Sequence, residues 1–202
     1  LTVDQHTPYQ NLLPWLEACL TDTSAQTPDH LDQQHCSPSH FAAVDPRGIS
    51  LGFTDKALWL RLTLQNRAPD VTLTYLEVGY PPLDDIRLFW KQGSQWHSAR
   101  NGDSVPISER ALKTRIPSFL LTLQPNETRE LFIRVQSTSA IAMPISAVSP
   151  TVWIQRHEKH NLKLGIFYGI SISAIFMAAG FYLLLRESVC LFFLLFIGGM
   201  TG

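Results

Sequence analysis

The chain has almost no excess charge. Its 202 residues carry 16 Lys and Arg against 17 Asp and Glu, a formal net charge of −1, which excludes the basic footprint of a nucleic-acid binder and the acidic run of a solvating tail. It has no C-x-x-C or H-x-x-x-H spacing. His30, His35, Cys36 and His40 therefore read as scattered polar loop residues, and no metal or other cofactor is expected. A nucleophile motif, a phosphate loop and a paired-carboxylate site are also missing. Asp84 and Asp85 are adjacent, which sends their carboxylates in different directions, so no enzyme activity is expected in these residues. The opening Leu-Thr-Val-Asp-Gln has no Met, basic n-region or apolar h-region, as expected where a secretory signal has been removed or left out. The end at Met200-Thr201-Gly202 falls inside an apolar run, which suggests truncation there.

One absence organises the rest. From Leu164 to Leu185, LGIFYGISISAIFMAAGFYLLL, there is no charged side chain. As a helix at about 1.5 Å per residue this stretch is about 33 Å long, enough to cross a hydrocarbon core of about 30 Å. Arg186-Glu187 interrupts it, and a second apolar run over 188–202 reads as the truncated start of another span. The mean hydropathy of +0.03 thus averages a mixed segment up to about Gln155 with a membrane segment after it.

Of three cysteines, Cys190 lies in the second apolar run. Cys19 and Cys36 are 17 positions apart and could close a disulfide if the region is exported; in a reducing compartment they are two unrelated thiols. Leu12, Leu13, Leu16 and Leu20 predict a short helix over Tyr9–Leu20, with Pro14 in its first turn. Thr21–Pro38 reads as a mobile loop with too little apolar surface to hold itself. These two segments form a leading region, 1–40, ahead of a folded domain at 41–155.

From Ala57 the period changes to two. In ALWLRLTLQ, Leu58, Leu60, Leu62 and Leu64 share one face of a strand. Further strands are expected at Leu73–Tyr80, Ile86–Lys91, around Trp96, at Ile116–Leu123 and Arg129–Gln136 (read as a hairpin about Gln124–Glu127), at Met143–Ser149 and at Val152–Gln155. Short strands joined by Gly, Pro and Asn turns predict an all-β, antiparallel β-sandwich. A polar connector, 156–163, lacks Gly and Pro and could run as helix into the span at 164–185. Arg156, Lys159 and Lys163 outnumber Arg186, so the positive-inside rule alone would put the sandwich in the cytoplasm.

The residues Leu51–Arg61 (LGFTDKALWLR), Leu76–Asp84 (LEVGYPPLD) with Ile86–Phe89, Gly102-Asp103 with Pro106-Ile107-Ser108 and Arg110, and Phe132–Ser137 (FIRVQS) occur in a telling order. They resemble the type 2 extracellular domain of bacterial seven-transmembrane receptors with diverse intracellular signalling modules. Gly165–Ile170 resembles the start of that family's first membrane helix. The resemblance implies a jelly-roll sandwich similar to carbohydrate-binding modules, placed in the periplasm of an inner-membrane receptor. It also implies a cytoplasmic output, such as a histidine kinase or diguanylate cyclase, outside these residues. The expected partners are a small-molecule or carbohydrate ligand, the membrane, and a second copy or another receptor.

A sugar needs aromatic faces and a few fixed polar groups. Trp59, Trp90 and Trp96 are the aromatic candidates, beside Tyr75 and Tyr80, with Arg61, Asp103 and Arg110 as the polar ones. Trp59 and Trp90 also fit as packing residues. Asp103 and Arg110 fit first as a loop-locking salt bridge and second as ligand contacts.

Overall fold

Strands form wherever apolar side chains alternate, and the order along the chain is β1 (Thr2–Val3), β2 (Tyr9–Asn11), β3 (Glu17–Thr21), β4 (Ala42–Ala43), β5 (Ile49–Gly52), β6 (Ala57–Asn66), β7 (Thr72–Val78), β8 (Asp85–Gln92), β9 (Gln95–Asn101), β10 (Ser118–Leu123), β11 (Thr128–Gln136), β12 (Ile141–Met143) and β13 (Ile145–Val148), followed by helix α1 (Pro150–Leu185). The computed structural model describes residues 1–3, 8–23, 25–31 and 36–185, and beyond them 189, 192, 193, 195, 196 and 199. Most of the second apolar run, with Cys190, lies outside the described residues, as does His35.

A seven-stranded sheet runs β4-β3-β6-β11-β8-β9, with β1 added in parallel at the end of β6, and a four-stranded sheet runs β10-β7-β13-β2; β5 and β12 form a separate pair. The other described ladders are antiparallel. One core joins the two larger sheets. Leu58, Leu60, Leu62 and Leu64 of β6 and Leu131, Ile133 and Val135 of β11 meet Leu76 and Val78 of β7 and Phe119 and Leu121 of β10. The leucine stripe read from the sequence is thus the inner face of the large sheet.

Four expectations are corrected. The helix over Tyr9–Leu20 is not formed: β2 pairs with β13, β3 pairs with β6, and between them lies a single 3-10 turn, Leu13–Trp15, holding Pro14. Leu12, Leu13 and Leu16 are buried as predicted for a helical stripe, but by ladder pairing and tertiary contact, which override local spacing. The loop after Thr21 does carry apolar anchors: among its described residues Ala25, Leu31 and Cys36 are buried against the outer face of the large sheet. The turn at Gln124–Glu127 closes no hairpin, since β10 and β11 belong to different sheets. Finally, Val152–Gln155 is helical: Ser149 ends the strand and Pro150, pre-set for a first helical position, opens α1.

The crossing between sheets is pinned by one buried side chain. Asn66 Nδ2 donates to the carbonyls of Asp70 (2.9 Å), Leu123 (3.2 Å) and Gln124 (3.0 Å), while Oδ1 accepts from Ala68 N (2.9 Å) and Thr72 Oγ1 (3.0 Å). Two of the segments that pass from one sheet to the other, β6 to β7 and β10 to β11, are tied to it.

The chain divides into two units, Leu1–Trp153 and the residues from Ile154 on. Within the first, the Trp153 indole stacks on Tyr75 of β7 at 4.1 Å and 6°. In the second, Leu162–Leu184 is apolar over 23 residues, long enough to span a bilayer. Its Ser171 and Ser173 hydroxyls donate to the carbonyls of Phe167 (2.9 Å) and Gly169 (2.8 Å) four residues back, which satisfies them without water.

Candidate functional site

The outer face of the large sheet carries a layer of its own. Cys19 of β3 is disulfide-bonded to Cys36, with Cα atoms 5.9 Å apart, and the bridge clips the intervening segment across the sheet. Beneath it, cross-strand pairing lines up Cys19, Trp59, Arg134, Arg87 and Arg100 in one row over β3, β6, β11, β8 and β9. Three of the five are arginines on adjacent strands, an arrangement that repels itself unless an anion is supplied.

Asp85 supplies one. Its Oδ2 accepts from Arg87 Nε at 3.0 Å, its Oδ1 from Arg100 Nε at 2.5 Å, and Arg134 Nη1 lies 3.6 Å from Oδ2. Arg134 is wholly buried. Its Nε donates to Ala25 O (3.0 Å) and its Nη2 to Thr23 O (3.2 Å) and Gln136 Oε1 (2.7 Å), so the clipped segment caps the guanidinium. Nη1 has no hydrogen-bond partner among the described residues. Burial, and next the field of Arg87, push the Arg134 guanidinium below its usual value, while Asp85 pulls the other way.

Local backbone fixes the carboxylate. Gly102, at φ +132°, lets the loop after β9 lie against the Asp84 carbonyl, a position in which a Cβ would collide with that backbone. Asp103 N then donates to Leu83 O (2.8 Å) and Ser104 N to Asp84 O (3.1 Å). The Asp84 side chain goes elsewhere, accepting from Thr138 N and Oγ1, both at 2.7 Å. Above the arginine row is an open cleft of about 900 Å³, rimmed by Phe53, Asp55 and Thr138 and floored in part by Arg87 and Arg100.

The six residues expected to bind ligand do not converge. Trp59 is 0% exposed and stacked on Phe89 (5.6 Å, 27°), so no indole face is open. Trp90 packs at the edge of the inner core and lies 5.9 Å from the His97 ring. Arg61 and Trp96 do share a smaller cleft of about 260 Å³. There Arg61 pairs with Glu17 (2.6 Å) and covers the Phe41 ring, and Trp96 Nε1 donates to Asp29 (2.8 Å) beneath Lys91. Asp103 and Arg110 sit apart in the loop after β9. Arg110 does lock that loop, through carbonyls rather than a carboxylate: Nε donates to Val105 O (2.8 Å) and Nη2 to Asp103 O (3.2 Å). His30 and His40 turn to the hydroxyls of Thr27 (3.1 Å) and Ser37 (2.6 Å).

The family model for 7TMR-DISM extracellular 2 matches residues 14–149, more than half of the chain. The chain belongs to this family. No curated protein matches it. A 7TMR-DISM extracellular 2 domain is a receptor sensor module rather than a catalytic one, and with the apolar helix after it the chain is part of a membrane receptor with an extracellular segment.

Within this 7TMR-DISM domain, sequence reasoning passed over Asp85, Arg87, Arg100 and Arg134 as a group. Arg87 and Arg134 both fall on the non-core parity of their strands, which was readable. What joins them is the register of β8 against β11, which pairs Arg87 with Arg134, 47 positions later in the chain, and one sequence does not contain that register.

Proposed function

We propose that the chain is the periplasmic ligand-sensing domain of a bacterial inner-membrane signalling receptor. Ligand occupancy of the sandwich biases the membrane helices between states, and a cytoplasmic output domain, of the histidine kinase or diguanylate cyclase kind, reads that bias. The observation that carries the reading is the helix Pro150–Leu185: its first turn is anchored inside the sandwich unit by the Tyr75–Trp153 stack, and it remains helical through the apolar stretch. A helix transmits tilt or rotation that a flexible linker would dissipate. The Cys19–Cys36 bridge supports placement outside the cytoplasm, against the local count of basic residues, because structural disulfides persist in oxidising compartments. The jelly-roll, carbohydrate-binding-module-like description belongs to the same proposal. It is supported by strand order, since β11 lies between β6 and β8 and β7 between β10 and β13.

Inserting Gly-Gly after Glu158 tests the relay. Ligand binding should be retained and output lost; an insertion mutant that still signals would sink rigid transmission. Screening glycans and periplasmic metabolites for a rise in melting temperature tests sensing itself.

A second reading, docking of a partner receptor or a second copy, is favoured by Tyr9, Leu73 and Leu120, which lie exposed on the strands of the four-stranded sheet. Cysteine cross-linking from position 120 in membranes should then trap a dimer or hetero-complex, and recovery of monomer alone would count against it.

A further inference from the structure

The arginine row and the cleft above it fit a ligand class more closely than the sensor reading alone specifies. Arg87 and Arg100 each spend Nε on Asp85. Both residues line the cleft, with side chains 30% and 41% exposed. Behind them Arg134 is buried, its Nη1 without a hydrogen-bond partner among the described residues and 3.6 Å from Asp85 Oδ2, so that one carboxylate serves all three guanidiniums. A buried cation held without a full set of acceptors is costly, typically by several kcal/mol per ion, and a second anion arriving over the row would offset that cost.

The rim limits what that anion is. Asp84 is occupied with Thr138 and Asp55 is exposed to solvent. Arg87 and Arg100 line the cleft with the buried Arg134 behind them, against the carboxylates of Asp55, Asp84 and Asp85. Such a cleft, with no excess of positive charge, suits a single carboxylate at the arginines and opposes two charges concentrated on one group, as in phosphate. Two guanidinium forks fixed from one side match the planar geometry of a carboxylate. At the rim, Phe53 is 81% exposed, the most exposed large hydrophobic side chain of the sandwich unit. An aromatic face left in water beside fixed donors offers a stacking surface for the body of a small molecule.

We propose that this cleft binds a small carboxylate-bearing molecule, with its carboxylate on the terminal nitrogens of Arg87 and Arg100 and its body against Phe53. The site deepens the sensor reading, and rests on it for the consequence of binding though not for binding itself. Three sources share this chemistry: an acidic sugar, a dicarboxylate and an amino acid.

The test uses the full chain in detergent micelles, with galacturonate, succinate and glutamate as probes and galactose and inorganic phosphate as controls, read by calorimetric titration and thermal melting. At least one carboxylate should bind about tenfold or more tighter than galactose or phosphate. Arg100→Ala should weaken that binding about tenfold or more, Arg100→Lys by less, and Phe53→Ala should weaken galacturonate more than succinate. Preference for galacturonate, succinate or glutamate assigns the source and supports the site in each case. Failure of all three at about 10 mM, binding unchanged in Arg100→Ala and Phe53→Ala, or phosphate binding as well as the carboxylates would overturn it. Galactose binding that survives Arg100→Ala would also overturn it while leaving the sensor reading standing. Since Arg100 pairs with Asp85, Phe53→Ala provides a variant outside that network should Arg100→Ala fold poorly.

Discussion

The two faces of the large sheet are held by different physics, although the same strands make both. On the inner face of β6, Leu58, Leu60, Leu62 and Leu64 are interchangeable in kind, and their burial depends on area and fit. On the outer face, Trp59, Arg61 and their neighbours on β11 and β8 are each different, and each is held by a named partner: a disulfide-clipped segment, Glu17, Asp85 or a backbone carbonyl. A core formed by area tolerates many sequences. A layer formed by partners fails when one partner is removed, and it is also where polar groups can be fixed for a ligand.

Breaking the inner face should cost most. Leu60→Ala removes a fully buried side chain and is expected to lower unfolding free energy by about 2–5 kcal/mol in urea titration. A loss no larger than that of Arg61→Ala, which removes the partner of Glu17 on the outer face, would erase the distinction. Next, replacing Cys19 and Cys36 together with Ser should cost about 3 kcal/mol, the expectation for a loop of this length. It should also admit protease between the two positions. Unchanged stability and protection would mean that packing, not the bridge, holds the segment. Asn66→Ala, which strands several buried backbone groups at the crossing between sheets, is expected to cost about 1–3 kcal/mol; a neutral result would show that the crossing needs no pin.

The smallest effect belongs to Asp45 and Arg47. The Arg47 guanidinium holds the Asp45 carboxyl below its ordinary value. With the folded value lowered, the contribution is present above the ordinary carboxylate range and is lost as pH falls through the folded value. The pair is fully exposed, so Asp45→Asn should leave the melting temperature at neutral pH unchanged within error. A clear drop would give surface pairing a weight not expected here.

Legibility followed the same division. The inner face was readable because period-two alternation is a local signal, and so were the membrane span and the family. The outer face was not. Trp59 read first as packing but stayed a candidate ligand contact, because its cover, Ala25 and Leu31, lies about 30 residues earlier in a segment that looks polar. Arg110 was read as locking its loop by a salt bridge to Asp103, whereas its acceptors are backbone carbonyls, which no side-chain pattern announces. At Leu12–Leu20 the helical spacing was real and misleading, because edge pairing to β13 and β6 decides the conformation there.

Strand order has a consequence for how this domain comes to exist. The strand at the middle of the large sheet, β11, is among the last of its members in the chain, and β6 and β8 both pair with it. Until residue 136 has been made, neither can complete its ladder, and the edge of each that will meet β11 is open, β6 carrying four leucines and β8 an isoleucine, a leucine and two aromatic residues. Pairing of β11 with β6 and β8 is therefore non-local, the kind of contact that slows folding.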